Sequence, residues 1–408
     1  MSPLTQALLL CALPSALTGC PPDPPAHLCL QTIMLSVLAG NAVAFAPPTM
    51  LSQSRLSQSR VSAVEMKQST PVIIGVAADS GCGKSTFMRR LTSIFGGESK
   101  LLDIGRETNT LISDMTTVIC LDDYHKWDRE GRKSNPEFPN GITALDEKCQ
   151  DWDKMAADVT GLKNGDTVSK PIYNHITGEL DPYEEVGPTP IVIFEGLHPM
   201  LDDRVDKMLD LTVYLDITDD VKFAWKAQRD IAERGATMEE VQAAIDARKP
   251  DFAAYVEPQK AKADIVIQVL LSDLIEDPTG KFLKVKFIQK KALSTVSAPY
   301  FFDKGSKLEW TPNGDKLTTS APGVKIASYD DMWYDQPVSV VEMDGKVENL
   351  EELIYVESHL CDSGTKFYGE LTEQIVKNKA APGSENGTGL FQTLCSFKIR
   401  EAYEALTK

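Results

Sequence analysis

Pro71-Val72-Ile73-Ile74-Gly75-Val76-Ala77-Ala78-Asp79-Ser80-Gly81-Cys82-Gly83-Lys84-Ser85-Thr86 decides the fold. Residues 71–78 form an apolar run rich in Val and Ile, the pattern of a buried strand. A turn follows at 79–83, and from residue 84 apolar side chains recur at helical spacing (Phe87, Leu91, Ile94) until Gly96-Gly97. A strand that passes through such a turn into a helix is a Walker A loop, with Ala78 standing where the strict pattern has Gly. Gly81 and Gly83 let the backbone curl so that its N–H groups point at phosphate oxygens. The helix start adds its partial positive charge. Gly81, Cys82, Gly83, Lys84, Ser85 and Thr86 are therefore expected to cradle ATP, with Lys84 reaching the β- and γ-phosphates and the Ser85 hydroxyl on Mg²⁺.

Outward from this loop, apolar runs at 116–121, 191–194, 211–215, 264–271 and 282–288 read as strands. Residues 221–232 and 238–248 read as helices, the second ended by Pro250. This alternation predicts an α/β P-loop kinase fold, a mostly parallel central sheet with helices on both faces. A mixed C-terminal extension begins near 292. In it, 299–310, 324–337 and 338–343 suggest short strands and turns, 349–360 and 365–379 helices, 383–389 a loop and 390–406 a last helix.

In such sheets ligands sit beyond the carboxyl ends of the strands. Three of those ends carry chemistry: the glycine turn, Asp122-Asp123 and Glu195. Phosphoryl transfer needs positioning, charge neutralisation and a proton acceptor. Adjacent residues of an extended segment point oppositely, so one of the two aspartates faces the site. Asp122 is the expected general base; a cap on the following segment is its other reading. Glu195 closes a Walker B pattern and is expected on Mg²⁺ with Ser85, or else as a loop cap. Lys226, Arg229, Asp230 and Arg234 share one helix face by their spacing, which suits a phosphate clamp as well as it suits an exposed salt-bridged helix.

The 408 residues carry a net charge of −17. The first 64 contain one acid (Asp23), Arg55, Arg60 and no lysine, which leaves −18 on the remainder. A body this acidic speaks against nucleic acid and anionic membrane as partners. Two apolar stretches, 8–17 and 33–46, fall short of the ~20 residues that span a bilayer. The second ends in Ala42-Val43-Ala44 before Phe45, as a signal peptide does, and 49–63 has the Ser-rich, acid-free composition of a transit peptide. Residues 1–66 are thus expected to be a cleaved leader, with translation starting nearer Met34, or else a disordered tail. Residues 67–408 are expected to be the kinase domain. The cysteines beyond the leader (Cys82, Cys120, Cys149, Cys361, Cys395) show no metal-binding spacing.

With Lys84, Asp122-Asp123-Tyr124-His125, Glu195-Gly196-Leu197-His198-Pro199 and 226–235 in that order, the sequence resembles the phosphoribulokinase and uridine kinase superfamily. Residues 79–97, 116–125, 170–175, 194–200, 215–235, 248–260, 352–360, 365–370 and 383–393 look specifically like the plant and algal phosphoribulokinases. The resemblance runs from about residue 71 to the C-terminus. It implies ATP-dependent phosphorylation of D-ribulose 5-phosphate to D-ribulose 1,5-bisphosphate in the Calvin cycle, in the plastid (chloroplast) stroma, by a homodimer. It implies Asp122 as base toward the primary hydroxyl, Glu195 as the Walker B acid, Asp230 as a further catalytic acid, and Lys226 and Arg229 as clamp residues. His125, Arg129, Lys133 and Arg234 match positions that hold the sugar phosphate, and Tyr173 and His175 a loop at the substrate edge.

Cys82 and Cys120 match the family's thioredoxin-controlled disulfide pair, although two small buried residues are the plainer reading. A thiol at a helix N-terminus beside Lys84 is expected to ionise readily. The plant and green-algal family has a second cysteine pair where residues 310–320 here hold none. That absence puts its complex with glyceraldehyde-3-phosphate dehydrogenase in doubt. The alternative functions are a uridine kinase-like or other small-molecule P-loop kinase, and a non-enzymatic redox-sensing partner.

Overall fold

The computed structural model describes residues 70–79, 81–95, 111–277, 279–299, 307–310, 319–354, 357 and 369–408. The expected leader at 1–66, Ser80, the Gly96-Gly97 stop and most of 310–320 lie outside the described residues. The expected strand at 71–78 is β1 (Val72–Ala78), and the helix after it is α1 (Lys84–Ile94). The strand reads as one apolar run because both of its faces are covered. Val72, Ile74 and Val76 pack with Phe87 and Leu91 of α1 and with the C-terminal helix. Ile73 packs on the opposite side with Met155, Val159 and Leu162.

Next come β2 (Leu111–Ile112), β3 (Thr116–Cys120), α2 (Arg129–Ser134), α3 (Trp152–Asn164), the hairpin β4 (Val168–Tyr173) and β5 (Leu180–Val186), and β6 (Ile191–Gly196). They are followed by α4 (Asp203–Asp206), β7 (Leu211–Ile217), α5 (Asp219–Arg234), α6 (Met238–Asp251), α7 (Gln259–Lys262), β8 (Ile265–Leu271) and β9 (Leu283–Lys290). The extension supplies β10 (Lys307–Trp310), β11 (Thr319–Trp333), β12 (Gln336–Val347), α8 (Glu370–Lys377) and α9 (Gly387–Leu406).

One ten-stranded sheet has the order β10-β11-β12-β9-β8-β7-β1-β6-β3-β2. Its centre, β3-β6-β1-β7-β8, is parallel throughout. The chain skips a sheet position between β1 and β3, and β6 later fills the gap. That crossover opens a crevice at the carboxyl ends of these three strands. Helices on both faces and the parallel centre are as the sequence predicts.

Three expectations are corrected, and one strand direction on which the sequence is silent is settled. The helix expected to end at Pro250 runs on to Asp251 and passes into a π-helical turn at Phe252–Val256, closed by Glu257 N–H donating to Phe252 O at 2.8 Å. Proline removes only its own N–H from the helix ladder, so the chain can continue for several residues beyond it. Strand β9 pairs antiparallel to β8. The short strands expected at 324–337 and 338–343 are two long strands, β11 and β12. Their two-residue turn, Tyr334-Asp335, has φ of 45° and 62° without glycine, so the usual hairpin signal is missing. The last helix starts at Gly387 inside the expected loop, capped by the Asn386 side chain, which accepts from Thr388 N–H at 2.9 Å.

Candidate active site

The phosphate loop has the geometry its glycines require. Gly81 and Gly83 take φ of 83° and 79°, and Gly83 serves as the left-handed N-cap from which α1 begins. The Lys84 ammonium folds back to donate to the carbonyls of Ala78 (3.3 Å) and Asp79 (3.2 Å). Burial works against its charge, but the nearby Glu195 and Asp122 outweigh burial and raise its pKa. The glycine loop, the end of β3 and the end of β6 therefore meet in one place.

Asp122 and Asp123 sit in a 3₁₀ turn, Leu121–Tyr124, rather than in an extended segment, and they still diverge. Asp123 is sealed in the interior, where it receives Lys170 Nζ at 2.5 Å and the Tyr173 N–H at 2.8 Å. Asp122 faces the crevice, with His175 Nε2 3.8 Å from its carboxylate. Burial alone would raise the Asp122 carboxyl, but His125, His175, Lys84 and Arg132 together hold it below the ordinary value. His125 itself, pushed down to about 4 by burial, is uncharged at neutral pH, where Lys84 and Arg132 are the cations that remain.

Glu195 lies in register with Cys120 across the β3–β6 pair. Burial pushes its carboxyl up to about 7 against the pull of Lys84. One carboxylate oxygen, Oε2, is buried with no hydrogen-bond partner among the described residues. Gly196 follows because a Cβ there would stand 2.6 Å from Leu121 Cβ. The strand thus closes against the turn that carries Asp122.

The expectation of a readily ionised Cys82 is overturned. The thiol is buried, and burial with the Asp79 charge pushes it up to about 12, more than Lys84 and Lys222 can offset. The Cys120 thiol is likewise raised, first by burial and then by Glu195 and Asp122. Both sulfurs are free.

A cleft beside the loop is lined by Asp79, Lys222, Lys226, Arg248, Lys249 and Phe252 among others. Asp79 holds Arg248 at 3.1 Å and Lys222 at 3.3 Å, and Lys222 lies 4.1 Å from the Phe252 ring centre. The loop is thereby tied to α5 and α6. Lys226 reaches this cleft. Arg229, Asp230 and Arg234 belong to the same helix, and their side chains lie outside the described residues.

The family description "Phosphoribulokinase / Uridine kinase family" matches residues 73–276. The chain is 53% identical over 365 residues to the chloroplastic phosphoribulokinase of Chlamydomonas reinhardtii, covering 88% of this chain and 96% of that one. It is 56% identical over 337 residues to that of Arabidopsis thaliana, covering 82% and 84%. A uridine kinase of Brevibacillus brevis is 30% identical over 200 residues, covering 48% and 84%. This chain belongs to the phosphoribulokinase and uridine kinase family.

A P-loop kinase of this family uses ATP, and the crevice beside the phosphate loop carries a group of rings and basic side chains. His125, Tyr173 and His175 form an edge-to-face series, with ring centres 5.2 and 5.1 Å apart. Arg129 is exposed and donates to the His175 carbonyl at 2.8 Å. Lys133 is exposed on α2. Between them stands Arg132, which the sequence reading passed over. Its guanidinium reaches His125 Nδ1 (3.2 Å) and donates to Tyr173 Oη (3.0 Å). Three basic residues within five positions were visible, but only the fold of a six-residue helix shows that the middle one turns inward. Asp79, Lys222, Arg248 and the buried Lys170 were also missed as parts of the site.

Proposed function

We propose that this chain transfers the γ-phosphoryl group of ATP to the primary hydroxyl of D-ribulose 5-phosphate, giving D-ribulose 1,5-bisphosphate. The observation that carries this reading is Asp122, half-buried at the crevice in the turn after β3, with Lys84 of the phosphate loop and Glu195 of β6 at the same sheet edge. Curated relatives named as chloroplastic phosphoribulokinases match along most of their length.

In this reading Asp122 accepts the hydroxyl proton as the oxygen attacks, with its charge maintained by Lys84 and Arg132. Lys84 and the loop N–H groups hold the triphosphate, and Lys226 and Arg229 stabilise the equatorial oxygens of the phosphoryl group. His125, Arg129, Lys133, Tyr173, His175 and Arg234 hold the sugar phosphate, and Asp230 serves as a further acid. The unpartnered Glu195 Oε2 and the Ser85 hydroxyl form an oxygen donor pair that fits Mg²⁺, which when bound would neutralise β- and γ-phosphate charge.

We also assign the protein to the plastid stroma, consistent with the relatives' names and the leader composition, as a homodimer. A Cys82–Cys120 disulfide, formed as both thiols give up their protons and electrons to oxidised thioredoxin, would tie the phosphate loop to the strand that carries the base. A complex with glyceraldehyde-3-phosphate dehydrogenase lacks the usual second cysteine pair. A coupled assay of ADP release with ribulose 5-phosphate and with uridine tests the substrate. Preference for uridine would overturn this reading in favour of a uridine kinase.

A further inference from the structure

We propose that Cys120, Asp122 and His175 form a site for a zinc-class divalent cation, occupation of which holds the base idle. Their donor atoms, the Cys120 sulfur, an Asp122 carboxylate oxygen and a His175 ring nitrogen, all lie within 4.8 Å of one another. A tetrahedral zinc with bonds of about 2.0–2.3 Å sets its ligands roughly 3.3–3.8 Å apart. His175 Nε2 and Asp122 Oδ2 already stand at 3.8 Å. Closing the remainder takes a side-chain adjustment of about 1 Å or less, and the fourth position is left to water.

The chemistry of the set selects the ion. Mg²⁺ takes oxygen ligands and does not displace a thiol proton, whereas one sulfur, one imidazole and one carboxylate suit zinc and cobalt. The site is open on the side that matters. The His175 and Asp122 side chains are 36% and 30% exposed in the crevice, while Cys120 forms its floor. The surroundings also fix the ligands. The Arg129 guanidinium holds the His175 carbonyl, and the Tyr173 ring packs edge-on against the His175 imidazole. Glu195 stands in register with Cys120 across the β3–β6 pair. Lys84 opposes the ion, but its ammonium is engaged by the carbonyls of Ala78 and Asp79. On binding, a Cys120–metal bond replaces the S–H bond, and the thiol proton is released to solvent through the open crevice. No electron is transferred.

The site does not depend on which alcohol the enzyme phosphorylates, so the decisive measurement needs no turnover. The full-length, metal-free, reduced chain is titrated with Co²⁺ in the absence of nucleotide. One equivalent is expected to produce a thiolate-to-cobalt charge-transfer band that Zn²⁺ abolishes by displacement. Cys120→Ser should lack the band, and His175→Gln, altered at a partly exposed position, should bind cobalt at least ~10-fold more weakly. In the kinase assay at saturating Mg²⁺-ATP, Zn²⁺ should inhibit reversibly by chelator. The half-inhibitory concentration, taken against each protein's own uninhibited rate, should rise ~10-fold or more in both variants. A wild-type chain without the band, a band that survives Cys120→Ser, or unchanged zinc sensitivity in both variants would overturn the proposal.

Discussion

Asp122 and Asp123 share one short turn, yet Asp123 is locked to Lys170 in the interior while Asp122 is left in the crevice. Asp122→Asn keeps the shape and removes the proton acceptor. It is expected to bind ATP as the wild type does and to lose turnover by ~10²–10⁴-fold. Nucleotide affinity measured beside ADP release checks this, and near-normal turnover would remove Asp122 as base. Glu195 offers a pH test. Burial lifts its pKa from 4.5 to about 7. A carboxyl with a folded pKa above its unfolded value binds more protons when folded. Its stabilising contribution is therefore whole below pH 4.5 and is lost as pH rises through about 7. The Tm of the metal-free wild type minus that of Glu195→Gln should fall across that window, and a difference flat in pH would contradict the buried carboxyl. Asp122 and Glu195 were legible because each closes an apolar run, and Lys84 because it follows the glycine turn that ends one. Arg132 and Lys170 were not, because their roles come from contacts with residues such as Tyr173 and Asp123 that lie tens of positions away.

At the scale of elements, the site depends on how closely β6 approaches the turn after β3. Gly196→Ala places a methyl 2.6 Å from Leu121 Cβ, a contact that backbone or side chain must yield to. The variant is expected to lose about 1–3 kcal/mol of stability. It should also lower kcat more than it raises KM for ATP, because the displaced turn carries Asp122 rather than the phosphate loop. Chemical denaturation and initial rates check both, and unchanged kcat with intact stability would show that the approach is not needed. The parallel strands and α1 could be read from sequence because burial on both faces leaves continuous apolar runs. The β4–β5 hairpin could not. Its residues Leu180, Tyr183 and Glu185 face solvent, so β5 carries no apolar run or alternation to mark it.

Across the whole molecule, the C-terminal extension is part of the kinase core. Leu390, Phe391, Leu394 and Phe397 of α9 pack in the same cluster as Val76 and Leu91. Arg90 of α1 is fully buried and donates to Ser384 Oγ (3.0 Å) and Gln392 Oε1 (3.3 Å) in the extension. A chain cut after residue 291 is therefore expected not to fold cooperatively, even though it retains every P-loop motif. Thermal unfolding of that fragment checks this, and a sharp transition near that of the intact chain would show the extension to be dispensable.

The largely buried thiol of the phosphate loop has a kinetic corollary. A reagent can reach the Cys82 sulfur only while the loop is transiently ajar, so alkylation would time the breathing of the loop rather than the acidity of the thiol. Saturating nucleotide, by quieting that breathing, would shield the sulfur without touching it. The rate at which an oxidant reaches this thiol would then follow how often the loop stands vacant.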